Sequence, residues 1–237
     1  MKLNELLQLA DSGRSGISPQ QKSEKSQQTL PGEWKSFFLK AAREALPGAD
    51  ADAAWQFFVS GAGQELSLTL ADIDRLYCIA GYHEHTRPSL PAFGQEGTEG
   101  PEEELFRTSS MKILDGAFDA ADPEDLPQLM HHLPDQILSS RFTLHPIELA
   151  AMSLKRLIDI SPYEGKNEEA AVLLMDRILT GAGFVPILIT PENREAFMDA
   201  LCLSRRICDM EPLSRLTAEE ILRQQRSLSS APLPPGQ

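Results

Sequence analysis

The chain has 237 residues, 41% of them apolar, 24% charged and 6% aromatic, and its 22 basic and 35 acidic side chains leave a formal net charge of −13. This is an ordinary soluble globular composition, long enough to bury a sizeable core. No apolar run reaches the roughly 20 residues that a membrane helix requires, and the acidic balance lacks the Lys and Arg excess with which nucleic-acid binders neutralise phosphates, so neither a membrane span nor a general nucleic-acid role is expected.

The N-terminal MKLNELLQLAD sets Leu3, Leu6, Leu7 and Ala10 on one helical face without the uninterrupted apolar stretch of a secretory signal. The polar SGRSGISPQQKSEKSQQ that follows has almost nothing to bury and reads as a flexible linker. From Glu33 to Leu46 the residues Trp34, Phe37, Phe38, Ala41 and Ala45 recur at helical spacing until Pro47-Gly48, and a second helix carries Trp55 and Phe58. Gly61 to Gly63 (GAG) lacks the preceding strand and the spacing of a nucleotide fingerprint and reads as a turn. Thr69 is the N-cap of a helix facing inward through Ile73, Leu76, Tyr77 and Ala80. His83-Glu84-His85 has no third metal ligand beside it and reads as surface, as does the glutamate-rich loop from Pro91 to Glu104.

In LFRTSSMKILDGAF, β-compatible residues run into Asp115-Gly116, a dipeptide suited to a tight hairpin; Arg107 and Lys112 there read as solvated strand charges. Asp122 with Pro123 starts a helix whose inward residues are Leu126, Leu129, Met130 and Leu133. HPIELAAMSLKRLIDI carries the clearest stripe, Ile147, Ala150, Ala151, Leu154, Leu157 and Ile158, with His145 in a capping or packing role. After a break at Ser161-Pro162, a helix resumes near Glu168 with Ala171, Leu174, Met175 and Ile178 on one face and stops at Gly181 or Gly183. Thr190-Pro191-Glu192 starts another, facing inward through Phe197, Ala200, Leu201, Ser204 and Ile207, and Thr217 with Glu220 forms a capping box for a last helix. Cys78, Cys202 and Cys208 suggest neither a disulfide framework nor a zinc site, which points to a reducing, cytoplasmic compartment.

A loop that leads from one buried helix into the N-terminus of the next is a natural anion site, because free N–H groups and the positive end of the helix dipole meet there. That loop is SPYEGKNEEA, Ser161 to Ala170. The stretch from HPIELAA through ISPYEGKNEEAAVLLMDRILTGAGFVPILI to NREAFMDAL resembles the Fic (Fido) domain, whose motif has the usual form H-P-F-x-D/E-G-N-G-R, and FRTSSMKILDGAF falls where that family places its target-docking hairpin flap. The resemblance implies a mainly α fold, a Fic/Fido-like helical core with a small β-hairpin flap. It also implies a short helix plus linker over 1–32, a helical extension over 33–66, the Fic domain over 67–226 and a disordered tail over 227–237. The family's motif binds ATP phosphates and transfers AMP to a hydroxyl of a target protein, with the His as general base, the acid on Mg²⁺, and the Asn, glycines and Arg cradling phosphates.

Carried over residue by residue, Pro162, Tyr163 (for the anchoring Phe) and Asn167 keep the pattern. Ser161 stands in place of the His, and a hydroxyl cannot accept a proton near neutral pH as an imidazole does. Gly165 takes the metal position, leaving Glu164 as a metal ligand only in a loop shifted by one residue; Lys166 and Glu168 take the glycine positions, and Glu169 replaces the Arg. Tyr163, Lys166 and Asn167 are what remains of a phosphate loop. Glu168 and Glu169 suit the first turn of a helix. The family's inhibitory S/T-x-x-x-E-G/N helix has its nearest match from Thr29 to Glu33 but with Trp34 at the last position. The expectation is a degenerate Fic protein without conventional AMP transfer and without a cofactor, which binds an unidentified protein through the flap around Arg107–Phe118 and the motif cleft. The alternative is a Fic-type transferase that uses ATP and Mg²⁺ in a non-standard site.

Overall fold

The computed structural model describes residues 1–14, 30–62, 64–81 and 106–230. The linker residues 15–29, the His83-Glu84-His85 triplet and the glutamate-rich loop lie outside the described residues. In chain order the elements are α1 (Leu3–Ser12), α2 (Gly32–Ala45), α3 (Ala51–Ser60), α4 (Leu70–Ile79), β1 (Lys112–Ile113), β2 (Phe118–Asp119), α5 (Leu126–Ser140), α6 (Pro146–Ile160), α7 (Asn167–Gly181), α8 (Arg194–Ile207) and α9 (Glu211–Ser230). The mainly helical fold with a small hairpin expected from the periodicity is what forms. No helix among the described residues is long and apolar enough to cross a membrane.

Local chemistry sets several helix starts. The Thr69 hydroxyl accepts from the Asp72 N–H, and the Asp72 carboxylate accepts from the Thr69 N–H at 2.9 Å, a reciprocal capping box. His145 caps α6: its Nδ1 accepts from the Ile147 N–H at 3.2 Å while Glu148 accepts from the His145 N–H. Pro123 does not open α5; residues Pro123–Asp125 form a 3-10 turn, and Asp122 makes no side-chain cap. The reason is Pro127, which has no N–H to donate to the Pro123 carbonyl, so that carbonyl takes the i→i+3 bond from Leu126 instead.

The hub is α7. Its spacing suggests one apolar face, yet the structure buries Val172, Leu173 and Leu179 as well as Ala171, Leu174, Met175 and Ile178. Helix α6 packs along it, and α3 and α4 cover another flank. Two charged residues follow one another inside this buried helix. Asp176 accepts the Ile187 N–H on Oδ1, which docks the 184–189 segment, while its Oδ2 has no partner and burial pushes its pKa well above the usual carboxylate range. The Arg177 guanidinium lies over the Phe57 ring at 5.4 Å and fills the space above Gly61, where a Cβ would come within 1.6 Å of Nη2; only glycine permits that approach.

Helices α8 and α9 depart from the sequence expectation. Residues 191–193 form a turn, with the Thr190 carbonyl accepting from Asn193 and Arg194, and α8 starts at Arg194. Phe197, Leu201 and Ser204 are buried as expected, but Ala200 is only half-buried and Ile207 is 52% exposed. Thr217 and Glu220 do not cap a helix. They lie within α9, where the Thr217 hydroxyl donates to the Leu213 carbonyl and Glu220 binds Arg223 and Gln224; Asp209 satisfies the Glu211 N–H at the true start. Helix α1 packs on α9.

The hairpin is held by a residue whose burial corrects its reading as a solvated, partner-facing charge. Arg107 is 2% exposed. Its Nε donates to the Ser161 carbonyl at 2.7 Å, Nη1 to Ser109 at 2.5 Å, and Nη2 to Ala121 and Ile160, while its own N–H donates to Pro162. The last carbonyls of a helix have no partner within it and carry the negative end of the dipole. Helix α6 has no basic residue in its last turn, so Arg107 supplies the cation from the far side of the hairpin. Burial lowers its pKa and Glu164 and Asp122 raise it; the guanidinium remains charged. Lys112 is a solvated strand charge as expected, paired with Asp119 across the strands.

Two measurements check this description. Replacing Arg107 with Met leaves four carbonyls without their donor, two of them on the buried residues Ile160 and Ser161, so chemical denaturation is expected to show a loss of more than about 3 kcal/mol, and Arg107→Lys an intermediate loss. For Asp176, a folded-state pKa raised above the unfolded value means that the native state binds the extra proton. Its contribution therefore declines as pH rises above the ordinary carboxylate range, by at most about 1.4 kcal/mol per pH unit. Asp176→Asn keeps an oxygen for the Ile187 N–H and is expected to flatten that slope; an unchanged slope in the variant refutes the assignment.

Candidate functional site

The site is the six-residue passage from α6 into α7. Ser161 ends α6 in a left-handed conformation, φ 42°, with its N–H on the Leu157 carbonyl. Its hydroxyl, on a residue 2% exposed, turns back and donates to the Ile158 carbonyl at 2.6 Å. The αL geometry is strained for a residue with a Cβ, and the two hydrogen bonds together with Arg107 on the Ser161 carbonyl hold it there.

Tyr163 anchors the passage in the core. Its ring is fully buried, stacks on Tyr77 at 3.7 Å and 6°, and its hydroxyl donates to Asp74 at 2.8 Å. Burial first, and the Asp74 carboxylate second, push the phenol pKa well up. Asn167, the first residue of α7, closes the turn on Tyr163: Oδ1 accepts the Tyr163 N–H at 3.0 Å and Nδ2 donates to the Tyr163 carbonyl at 2.8 Å. The carboxamide thereby works as a backbone surrogate. A further contact of Nδ2 with the Met111 sulfur joins the turn to the hairpin.

The charged side chains are matched among themselves. Lys166, also left-handed at φ 58°, donates to Glu169 at 2.9 Å and to the Pro47 carbonyl at 3.1 Å, which ties the loop to the end of α2. Glu168 pairs with Arg194 at 2.7 Å across to α8. Glu164 is exposed. Gly165 has open space where a Cβ would stand and no positive φ, so the backbone does not require glycine there. Among the described residues no group of three His, Cys, Asp or Glu side chains could hold a metal ion. Beside the start of α7, Glu168, Glu169, Arg194, Met198, Leu201 and Leu46 line a cavity of about 70 Å³.

The hairpin stands over this loop. Ile113 pairs with Phe118, and three successive left-handed residues, Leu114, Asp115 and Gly116, turn the chain between them. The strands are shorter than their β-compatible sequence suggests. Arg205 pins β2: its guanidinium lies over Phe118 at 4.8 Å and donates to the Asp119 carbonyl and the Asp159 carboxylate. Strand β1 has no second neighbour among the described residues.

Of the residues singled out in sequence, the structure gathers Ser161, Tyr163, Glu164, Lys166, Asn167 and Glu169 into one turn, whereas Arg107 belongs to its inner support. Sequence reasoning misread Arg107 as a solvated charge and missed Asp74 and Arg205. For Arg107 there was one signal: a helix ending at Ser-Pro, with neither a glycine cap nor a basic last turn, needs a donor from elsewhere.

No protein-family model matches the chain. A protein adenylyltransferase Fic of Aedes aegypti is 31% identical over 115 residues, 48% of this chain and 22% of that protein. The corresponding Drosophila willistoni protein is 28% identical over 170 residues, 71% of this chain and 30% of that protein. The chain thus aligns with less than a third of the length of these curated relatives. A Fic domain containing signaling protein of Bacteroides thetaiotaomicron superposes with a TM-score of 0.64 at 18% identity, covering 95% of each chain. IbpAFic2 covalently tethered to Cdc42 superposes with a TM-score of 0.57 at 15% identity over 93% of this chain and 70% of that one. With the helical core, the hairpin and the α6–α7 turn in place, these likenesses show a Fic-fold protein with homology to protein adenylyltransferases.

Proposed function

We propose that this chain is a Fic-fold interaction module in which the motif turn has changed from a phosphate cradle into a closed structural element, so that conventional AMP transfer is absent. Ser161 carries the reading. The position that the family gives to its general base holds a hydroxyl that is buried, donates to Ile158 and has no proton affinity near neutral pH.

The rest of the turn does not fit a magnesium triphosphate. Both hydrogen-bonding groups of Asn167 are used by Tyr163. Lys166 is matched by Glu169 and Arg194 by Glu168, so neither nearby cation is left over for a polyanion. A carboxylate in place of the motif Arg adds repulsion; one unit pair at 4 Å and an effective dielectric of 20 amounts to about 4 kcal/mol before solvent screening. Gly165 offers no metal ligand, and Glu164 is exposed.

The module takes a protein segment at the hairpin. Strand β2 is covered by Arg205, whereas β1 leaves an edge for strand addition beside the motif turn. A Fic structure tethered to Cdc42 supports a protein as the class of partner. Cys78, Cys202 and Cys208 are not joined in a disulfide among the described residues, which supports a reducing, cytoplasmic setting.

Calorimetric titration of the full chain with ATP and Mg²⁺ is expected to show no saturation below about 1 mM, and radiolabelled ATP is expected to leave no adenylyl group on added proteins. The double change Ser161→His, Glu169→Arg is expected to improve nucleotide binding. Micromolar binding by the wild type that Asn167→Ala abolishes with the helical circular dichroism intact overturns the reading in favour of an enzyme using Glu164, Lys166 or Glu169 in altered chemistry.

A further inference from the structure

Helix α8 carries an apolar stripe that the described residues leave uncovered. Phe197, Leu201 and Ser204 face the core, but Ala196 is exposed, Ala200 is half-buried, and Leu203 and Ile207 are 47% and 52% exposed. These four follow one another at intervals of four, three and four residues, the spacing of a coiled-coil seam. On the solvent side the stripe is edged by Asp199 and Arg206, seven residues apart and so at equivalent positions of successive heptads. Both are exposed, and among the described residues neither takes part in an ion pair, in contrast to Arg194 and Arg205 of the same helix, which bind Glu168 and Asp159.

We propose that the stripe is covered by a second copy of this chain, with α8 packed antiparallel against its counterpart about a two-fold axis. The order of side chains along the stripe argues for this occupant. Its small residues lie toward the N-terminus and its large ones toward the C-terminus, so an antiparallel copy sets Ala196 against the partner's Ile207 and Ala200 against the partner's Leu203, and the two-fold repeats both layers. Every layer then holds one small and one large side chain of complementary volume. A parallel copy in register sets Leu203 against the partner's Leu203 and alanine against alanine, crowding one layer and emptying the next.

The charges select the same arrangement independently. In an antiparallel pair the heptad positions flanking the seam on one side meet their own kind, and with the apolar layers in this register Asp199 faces the partner's Arg206 while Arg206 faces the partner's Asp199. One register therefore satisfies the volumes and both ion pairs.

Sedimentation analysis of the full chain from about 1 µM to 1 mM tests the pairing. A reversible dimer is expected, Leu203→Asp is expected to leave only monomer with helical circular dichroism unchanged, and Asp199→Arg or Arg206→Asp alone is expected to weaken association by about tenfold. The charge-exchanged double variant D199R/R206D restores the pairs and is expected to return within about threefold of the wild type. A wild type that stays monomeric throughout, a dimer indifferent to Leu203→Asp, or a double variant no better than the singles overturns the proposal.

Discussion

One buried guanidinium organises the functional end of the molecule. Helix α6 finishes with carbonyls that the helix cannot satisfy, and Arg107 reaches across from the hairpin to take those of Ile160 and Ser161 together with those of Ser109 and Ala121. Desolvating an unpaired arginine is costly, and leaving several buried carbonyls without donors is costly too. Each problem resolves the other at this one place. The consequence is geometric: the hairpin, the end of α6 and the start of the motif turn share a single anchor, so the hairpin edge and the turn are held in one register.

The turn itself is built from the same economy of partners. Asn167 replaces two backbone partners for Tyr163, Tyr163 fills the core against Tyr77 and Asp74, and Ser161 closes on Ile158. A phosphate cradle works because its N–H groups and cations face outward and wait for an anion. Here the hydroxyl, the carboxamide and the nearby cations have internal partners. The proposed loss of AMP transfer follows from that redirection of hydrogen bonds and charge, in a fold that otherwise keeps the Fic arrangement of a hairpin over a helix–turn–helix.

Helix α7 explains why this arrangement is rigid. A helix buried on every side cannot rotate or slide without disturbing α3, α4 and α6 together. Its two charged residues are tolerated by different means: Asp176 by the Ile187 N–H and a raised pKa, Arg177 by the Phe57 face and the space left at Gly61. In α8 the logic is reversed. Its core face is narrow, and among the described residues its neighbouring stripe is uncovered and the charges that edge it are unpaired, which is the pattern of a surface made for another molecule.

The amino-acid sequence determined the helices, because a 3.6-residue apolar period is a local property that needs no partner to be read. It also determined the Thr69 cap, the hairpin at Asp115-Gly116 and the helix–turn–helix passage through Ser161 and Lys166, since caps and turns depend on neighbours within a few positions. Only the tertiary structure decided that Arg107 is an internal clamp, that Asn167 closes on Tyr163, that α7 is buried all round, that Ile207 faces solvent and that Thr217 lies inside α9. Periodicity gives the direction of a side chain around its own helix, but burial depends on whether another element covers that direction, and hydrogen-bond partners such as Arg107 and Ile160 are brought together from positions 53 residues apart. That information resides in packing between segments, which no local pattern contains.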